Sequence, residues 1–166
     1  QAHARGGLHD HVEAGDVELT IEVVKELRGM FTFIIYDTKK GKIFVARDFF
    51  GIKPLYYTMR DGVIGAIGSE IKSLLTLPDY KKEINEEAIF HYLSYQYNPL
   101  RETFFKNIYR LPPATYLIID AKTGKFEEKK YWSFSFSENR EMTEKTGTRE
   151  LSQTLVDSVQ HHLISD

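Results

Sequence analysis

Cysteine is absent from the 166 residues. That excludes disulfides, zinc sites built on thiolates, and any thiol nucleophile supplied by this sequence. An excess of charge of either sign is missing too: 22 Lys and Arg stand against 24 Asp and Glu, a net charge of −2. A dedicated nucleic-acid binder is therefore not expected, since such domains are strongly basic. No apolar run approaches the ~20 residues that cross a bilayer, so no membrane span is expected. No basic stretch followed by an apolar core opens the sequence, so neither is a signal peptide. With disulfides excluded, a cytoplasmic chain is the expectation. What remains is ordinary globular material, 42% hydrophobic and 28% charged, at a length close to the ~150 residues of one domain. Such a chain can bury a sizeable core without staples.

Residues 1–14 are small, polar and His-rich, with Gly6-Gly7 as a break, and read as a flexible segment. From Asp16 to Leu27 the apolar residues recur at three- and four-residue intervals, which predicts a short helix with Asp16 and Glu18 at its positive end. The period then changes. Met30–Asp37, Lys42–Arg47, Leu55–Thr58 and Val63–Ile67 are rich in aromatic and β-branched residues and are separated by turn residues, Asp61-Gly62 among them. Residues 30–68 therefore read as a four-stranded antiparallel meander. A short helix with Ser69 as its cap should follow and end at Pro78. The next helix should be capped by Asn85, bury Ile89, Phe90, Leu93 and Tyr97, and stop at Pro99. A hairpin over Ala114–Asp120 and Lys125–Trp132 comes next, then a polar connector over 133–147. A last helix from about Arg149, capped by Thr148, carries Leu151, Leu155, Val159 and Leu163 at four-residue spacing. The fold class is α+β with antiparallel sheets.

Few residues point to chemistry. Strand spacing would put His9 and His11 on one side, but no third metal ligand stands nearby, so no metal site is expected. His161 and His162 diverge by about 100° on a helix and cannot chelate together. Arg47-Asp48 leads into a turn at Gly51 and Pro54. The pair serves either as a contact for an anionic ligand or as an internal ion pair fixing the turn, and the second is the expectation. Gly51 is a single glycine, not a phosphate-cradling run. No Gly-x-Ser-x-Gly elbow and no assignable carboxylate pair exists.

The string LRGMFTFIIYD, then KIFVARDFFGIKPLYY and IGSEIKSLL, resembles the later half of the glutaminase domain of class II glutamine amidotransferases, which are N-terminal-nucleophile hydrolases. Three further features are similar to the asparagine synthetase family within that class. They are Gly68-Ser69-Glu70-Ile71-Lys72-Ser73-Leu74, the run Thr103–Pro113 followed by Tyr116-Leu117, and the closing Tyr131-Trp132 with its connector and Leu151–Asp166. The resemblance covers residues 25–166. It implies part of an αββα sandwich over 15–132, a linker over 133–147, and a helix over 148–166 leading into a synthetase domain beyond this sequence. In that family an N-terminal Cys attacks the glutamine carboxamide, and ammonia passes to a second domain where ATP and Mg²⁺ activate aspartate.

This sequence departs from the pattern at both ends, with no Cys and no ATP-binding SGGxDSS segment. The resemblance therefore implies no catalytic residue, metal or cofactor within it, and Arg47, Asp48 and Gly51 as a structural motif. Gly15-Asp16-Val17-Glu18 resembles the family's SDTE, whose Asp receives the α-ammonium of glutamine. Asp16 is thus a glutamine-binding candidate or merely a helix cap. The expected function is a portion of a glutamine-hydrolysing asparagine synthetase, inactive alone. The alternative is a degenerate amidotransferase-like module that binds without catalysis. An incomplete domain is also expected to expose a sheet edge or apolar face and to self-associate.

Overall fold

Three hairpins organise the chain, and each closes on an aspartate and a glycine. The computed structural model describes residues 17–163. Helix α1 spans Val17–Glu26, followed by strands β1 (Thr32–Asp37) and β2 (Lys42–Arg47). At their turn the Asp37 carboxylate accepts the N–H groups of Lys39 and Lys40, both at 2.9 Å, and Gly41 takes a left-handed φ of 63°. Strands β3 (Tyr56–Arg60) and β4 (Val63–Gly68) meet at Asp61-Gly62. Both turn residues have positive φ, 52° and 77°, the backbone that matches strand twist in a two-residue hairpin. Strands β6 (Thr115–Asp120) and β7 (Phe126–Lys130) close through Asp120, whose carboxylate accepts from Lys122 and Thr123. The Thr123 bonds, with help from Lys42, lower the Asp120 pKa to about 2.

The expected four-stranded meander does not form. All pairings are antiparallel, but β2 does not pair with β3. One sheet has the order β1-β2-β6-β7, the other β4-β3-β5. Strand β5 (Ile108–Arg110) lies in a stretch to which the sequence reading assigns no element, and it exists through its pairing with β3. The segment between β2 and β3 hands the chain from one sheet to the other.

Alternation along β2 explains the core. Val45 joins Leu117 and Ile119 of the first sheet to Tyr57 and Ile64 of the second, with Leu55 and Leu111, in one buried cluster. Its neighbours Phe44 and Ala46 point to the opposite face, where Tyr116 and Val24 of α1 pack with them. Stacked rings Phe31, Phe33, Phe44 and Tyr116, with successive centroids 5.4–6.0 Å apart, run across that face. Each fully buried side chain of this kind contributes about 1.5–3 kcal/mol.

The helices correct several expectations. Helix α2 spans Ile71–Leu74, and Glu70 rather than Ser69 occupies the cap position. The Ser73 hydroxyl donates to the Glu70 carbonyl, closing the first turn from inside the helix. Helix α3 spans Glu86–Tyr95 with Asn85 as cap, as expected: its side-chain oxygen accepts the Ala88 N–H. It ends before Pro99, at Gln96, which takes the left-handed conformation. Its apolar stripe is not buried. Phe90 is 67% and Leu93 76% exposed, and Ile89 and Tyr97 also face solvent, while Ala88 alone in the helix is buried.

A second unit begins at Phe134. Its helix α4 spans Glu144–His162. It starts five residues before Arg149, because Thr143 and Thr146 form a reciprocal capping box. No residue of α4 is buried, and the Leu151, Leu155 and Val159 stripe is exposed. Among the described residues no helix is long and apolar enough to cross a membrane.

Candidate functional site

Strand β2 delivers Arg47 and Asp48 into the crossover between the sheets, and both are buried, at 5% and 1% exposure. The expected ion pair between them is not what the structure forms. Among the described residues the two side chains make no salt bridge with each other; each turns to main chain instead. Arg47 Nε donates to the Lys53 carbonyl at 2.7 Å, and its Nη1 and Nη2 donate to the carbonyls of Leu111 and Gly51. The Asp48 carboxylate accepts the N–H groups of Phe50, Ile52 and Lys53 at 3.0–3.1 Å. One side chain thus gathers the turn's carbonyls and the other its N–H groups, which removes the need for water inside the crossover.

The electrostatics follow from this. Burial lowers the Arg47 pKa, with the like charge of Arg110 acting in the same direction. Burial pushes Asp48 upward, but the N–H groups of Lys53, Ile52, Phe50 and Gly51 outweigh it and hold the carboxyl below its ordinary range. Gly51 is obligatory on two counts. Its φ is +65°, and a Cβ there would lie 2.9 Å from Pro113 Cγ and 3.0 Å from Arg47 Cζ.

Distant segments complete the knot. The Asp48 carbonyl accepts from Ala114 N–H at 2.9 Å, and the Ala114 carbonyl from Tyr131 N–H at 2.8 Å. The Tyr131 hydroxyl donates to the Arg47 carbonyl at 2.6 Å. Burial, with the charge of Asp48 adding to it, pushes the Tyr131 phenol up to about 12. Sequence reasoning did not single out Tyr131 for this bond, and no local signal could have shown it across 84 residues. A second network it did not single out joins Arg101 to the Tyr57 hydroxyl at 3.0 Å and to the Glu128 carboxylate.

Asp16, His9 and His11 lie outside the described residues. His161 and His162 each turn back to a carbonyl of their own helix, Asp157 and Ser158. Among the described residues no group of three His, Cys, Asp or Glu is placed to hold a metal ion. Arg47, Asp48 and Gly51 therefore come together as a built joint between two sheets, and its polar groups are spent on the protein's own backbone.

The model of the glutamine amidotransferase domain matches residues 11–132, and the chain belongs to that family. Among its relatives is glutamine-hydrolysing asparagine synthetase 1 of Bacillus subtilis (strain 168), 35% identical over 146 residues, which take in 87% of this chain and 22% of that protein. Asparagine synthetase 2 of the same organism, also named glutamine-hydrolysing, is 36% identical over 145 residues, or 78% of this chain and 19% of its own length. The amidase chyE of Penicillium rubens is 30% identical over 159 residues, covering 81% of this chain and 22% of that protein. The chain spans about a fifth of the length of these relatives.

Proposed function

We propose that this sequence is a portion of a glutamine-hydrolysing asparagine synthetase, comprising the later part of its amidotransferase domain and the lead into the synthetase domain. The observation that carries the reading is the family match over residues 11–132 in a sequence with no cysteine. The names of the Bacillus subtilis relatives support the choice of reaction. In this reading residues 15–132 are part of an N-terminal-nucleophile hydrolase sandwich, the stretch from 133 to the Thr143 cap a connector, and α4 the first helix toward the synthetase domain. Two antiparallel sheets sharing one buried cluster, with α1 on an outer face, support that architecture.

The chemistry divides accordingly. The nucleophile that attacks glutamine lies outside this sequence, as does the domain where ATP and Mg²⁺ activate aspartate, and both work in the cytoplasm. Asp16 supplies the carboxylate that receives the glutamine α-ammonium. The isolated chain therefore releases no glutamate from glutamine; sustained turnover in a coupled glutamate assay would overturn this reading. The same absence of cysteine favours a second reading, a degenerate module that binds glutamine or a partner without catalysis. The flanking reading frame separates them. A Cys codon directly after an upstream initiator Met, with an SGGxDSS segment downstream, establishes the synthetase portion; an open reading frame bounded near Gln1 and Asp166 establishes the module.

A further inference from the structure

Strand alternation sorts the charges around β5. Tyr109 of β5 stacks on Tyr57 of β3, ring centroids 5.7 Å apart, on the face that carries the buried cluster. Their neighbours Tyr56 and Arg110 are cross-strand partners too, and they belong to the opposite face. Two of the ionised groups nearby are spent on the Tyr57–Tyr109 side. Arg101 donates to the Tyr57 hydroxyl and to the Glu128 carboxylate. The Glu102 carboxylate accepts the Asn107 N–H and the Asn85 amide, and burial together with its charge raises the Tyr109 phenol.

Arg110 has no such partner. Among the described residues its guanidinium meets no carboxylate and makes one long bond, 3.4 Å to the Asn98 carbonyl. A guanidinium carries five N–H donors in a rigid fork, so most of them are unused. Arg110 and Tyr56 line a cavity of about 200 Å³ walled by Ile71 of α2, Tyr92 of α3 and the loop over 98–104. That loop is held in place. The Asn98 side chain donates to the Glu102 carbonyl and accepts the Leu100 N–H, and the Arg110 N–H donates to the Arg101 carbonyl. The volume falls short of the ~300 Å³ at which sites for drug-sized ligands begin, which restricts the occupant to a small molecule or ion. The sign follows from charge. The positive charge of Arg110 acts against the buried Arg47 guanidinium, adding to the lowering that burial causes. An anion at Arg110 offsets that repulsion while it takes up the unused donors.

We propose that this cavity binds a small oxyanion, a phosphate or the carboxylate of a small acid, held by the forked guanidinium of Arg110 beside the Tyr56 phenol. A planar fork suits bidentate pairing with either group. Every named wall lies between Tyr56 and Arg110, so the site draws on neither the reaction assigned above nor residues beyond this sequence.

Calorimetric titration of the full 166-residue chain with inorganic phosphate, and separately with malonate at matched ionic strength, is expected to give saturable binding. The thermal midpoint should rise with the concentration of the bound anion. Saturation by phosphate alone identifies a phosphate site, by malonate alone a carboxylate site, and by both a site for their shared geometry. Arg110→Gln weakens binding by about tenfold or more, as loss of a charged hydrogen-bond partner implies. Arg60→Gln, at an exposed guanidinium outside the cavity, leaves binding unchanged. Saturation by neither anion overturns the proposal, as does full affinity in Arg110→Gln. An equal loss in Arg60→Gln shows diffuse charge attraction and overturns it as well. Should Arg110→Gln unfold, amide NMR shifts of the wild-type chain decide alone: anion-induced shifts centred on Tyr56, the 98–104 loop and Arg110 support the site, and shifts centred elsewhere overturn it.

Discussion

The crossover at Arg47–Gly51 and the helix α3 solve opposite halves of the folding problem. In the crossover, two charged side chains lie under 6% exposed with their polar atoms bonded to main chain. In α3 the polar ends are in order: Asn85 caps the first turn, its amide donates to Glu102 at 2.9 Å, and Glu86 and Glu87 complement the dipole. Yet its apolar stripe faces solvent. The difference teaches that polar groups at the crossover and at the helix cap are satisfied by nearby main chain and side chains, while the apolar stripe of α3 is exposed among the described residues.

The comparison breaks first at Gly51. Gly51→Ala forces a side chain into left-handed backbone, about 1–2 kcal/mol, and against Pro113 and Arg47, about 1–3 kcal/mol. Urea unfolding should register the combined loss of stability. A smaller loss would mean that the Pro113 loop yields. Asp48→Asn comes next. It replaces a charged acceptor of three N–H groups and costs about 1.5–3 kcal/mol. Because Asp48 titrates below its ordinary range in the folded chain, its contribution is complete at neutral pH. That contribution fades as pH falls below the ordinary aspartate value of ~3.9 and through the lowered folded one. Acid titration of the Asn variant should show a shallower stability loss in that window.

Asn85→Ala sharpens the helix side of the comparison. Loss of the cap costs about 1 kcal/mol in thermal or chemical unfolding. Leu93→Ser has the smallest effect, within about 0.5 kcal/mol, because the side chain is already in water. A core-sized loss at Leu93 would show that α3 is covered in solution.

Much of the fold was legible because its signals are local. Asp61-Gly62 forms a hairpin because both residues tolerate positive φ, and Asn85 caps because its side chain reaches a backbone N–H three residues on. The misread places depend on remote partners. A strand's sequence says that it will pair but not with what, so β2 and β3 read as neighbours while they belong to different sheets. The residues Ile108–Arg110 are too few to signal a strand; Tyr57 opposite Tyr109 makes them one. Arg47 and Asp48 stand out in the sequence, yet their adjacency suggested each other as partner. Their bonds run to Leu111 and to the turn's own N–H groups instead.

By itself the sequence determined the chemistry that the chain does not carry, since a residue count needs no coordinates: with no cysteine there is no thiol nucleophile within it. It determined the turns and caps as well, where a few adjacent residues set the backbone energy. The tertiary structure alone decided the division into two sheets and the burial of the Arg47–Asp48 crossover. Each of these depends on hydrogen bonds and apolar contacts between residues tens of positions apart, whose free energy is set by which segments meet and not by what either segment is.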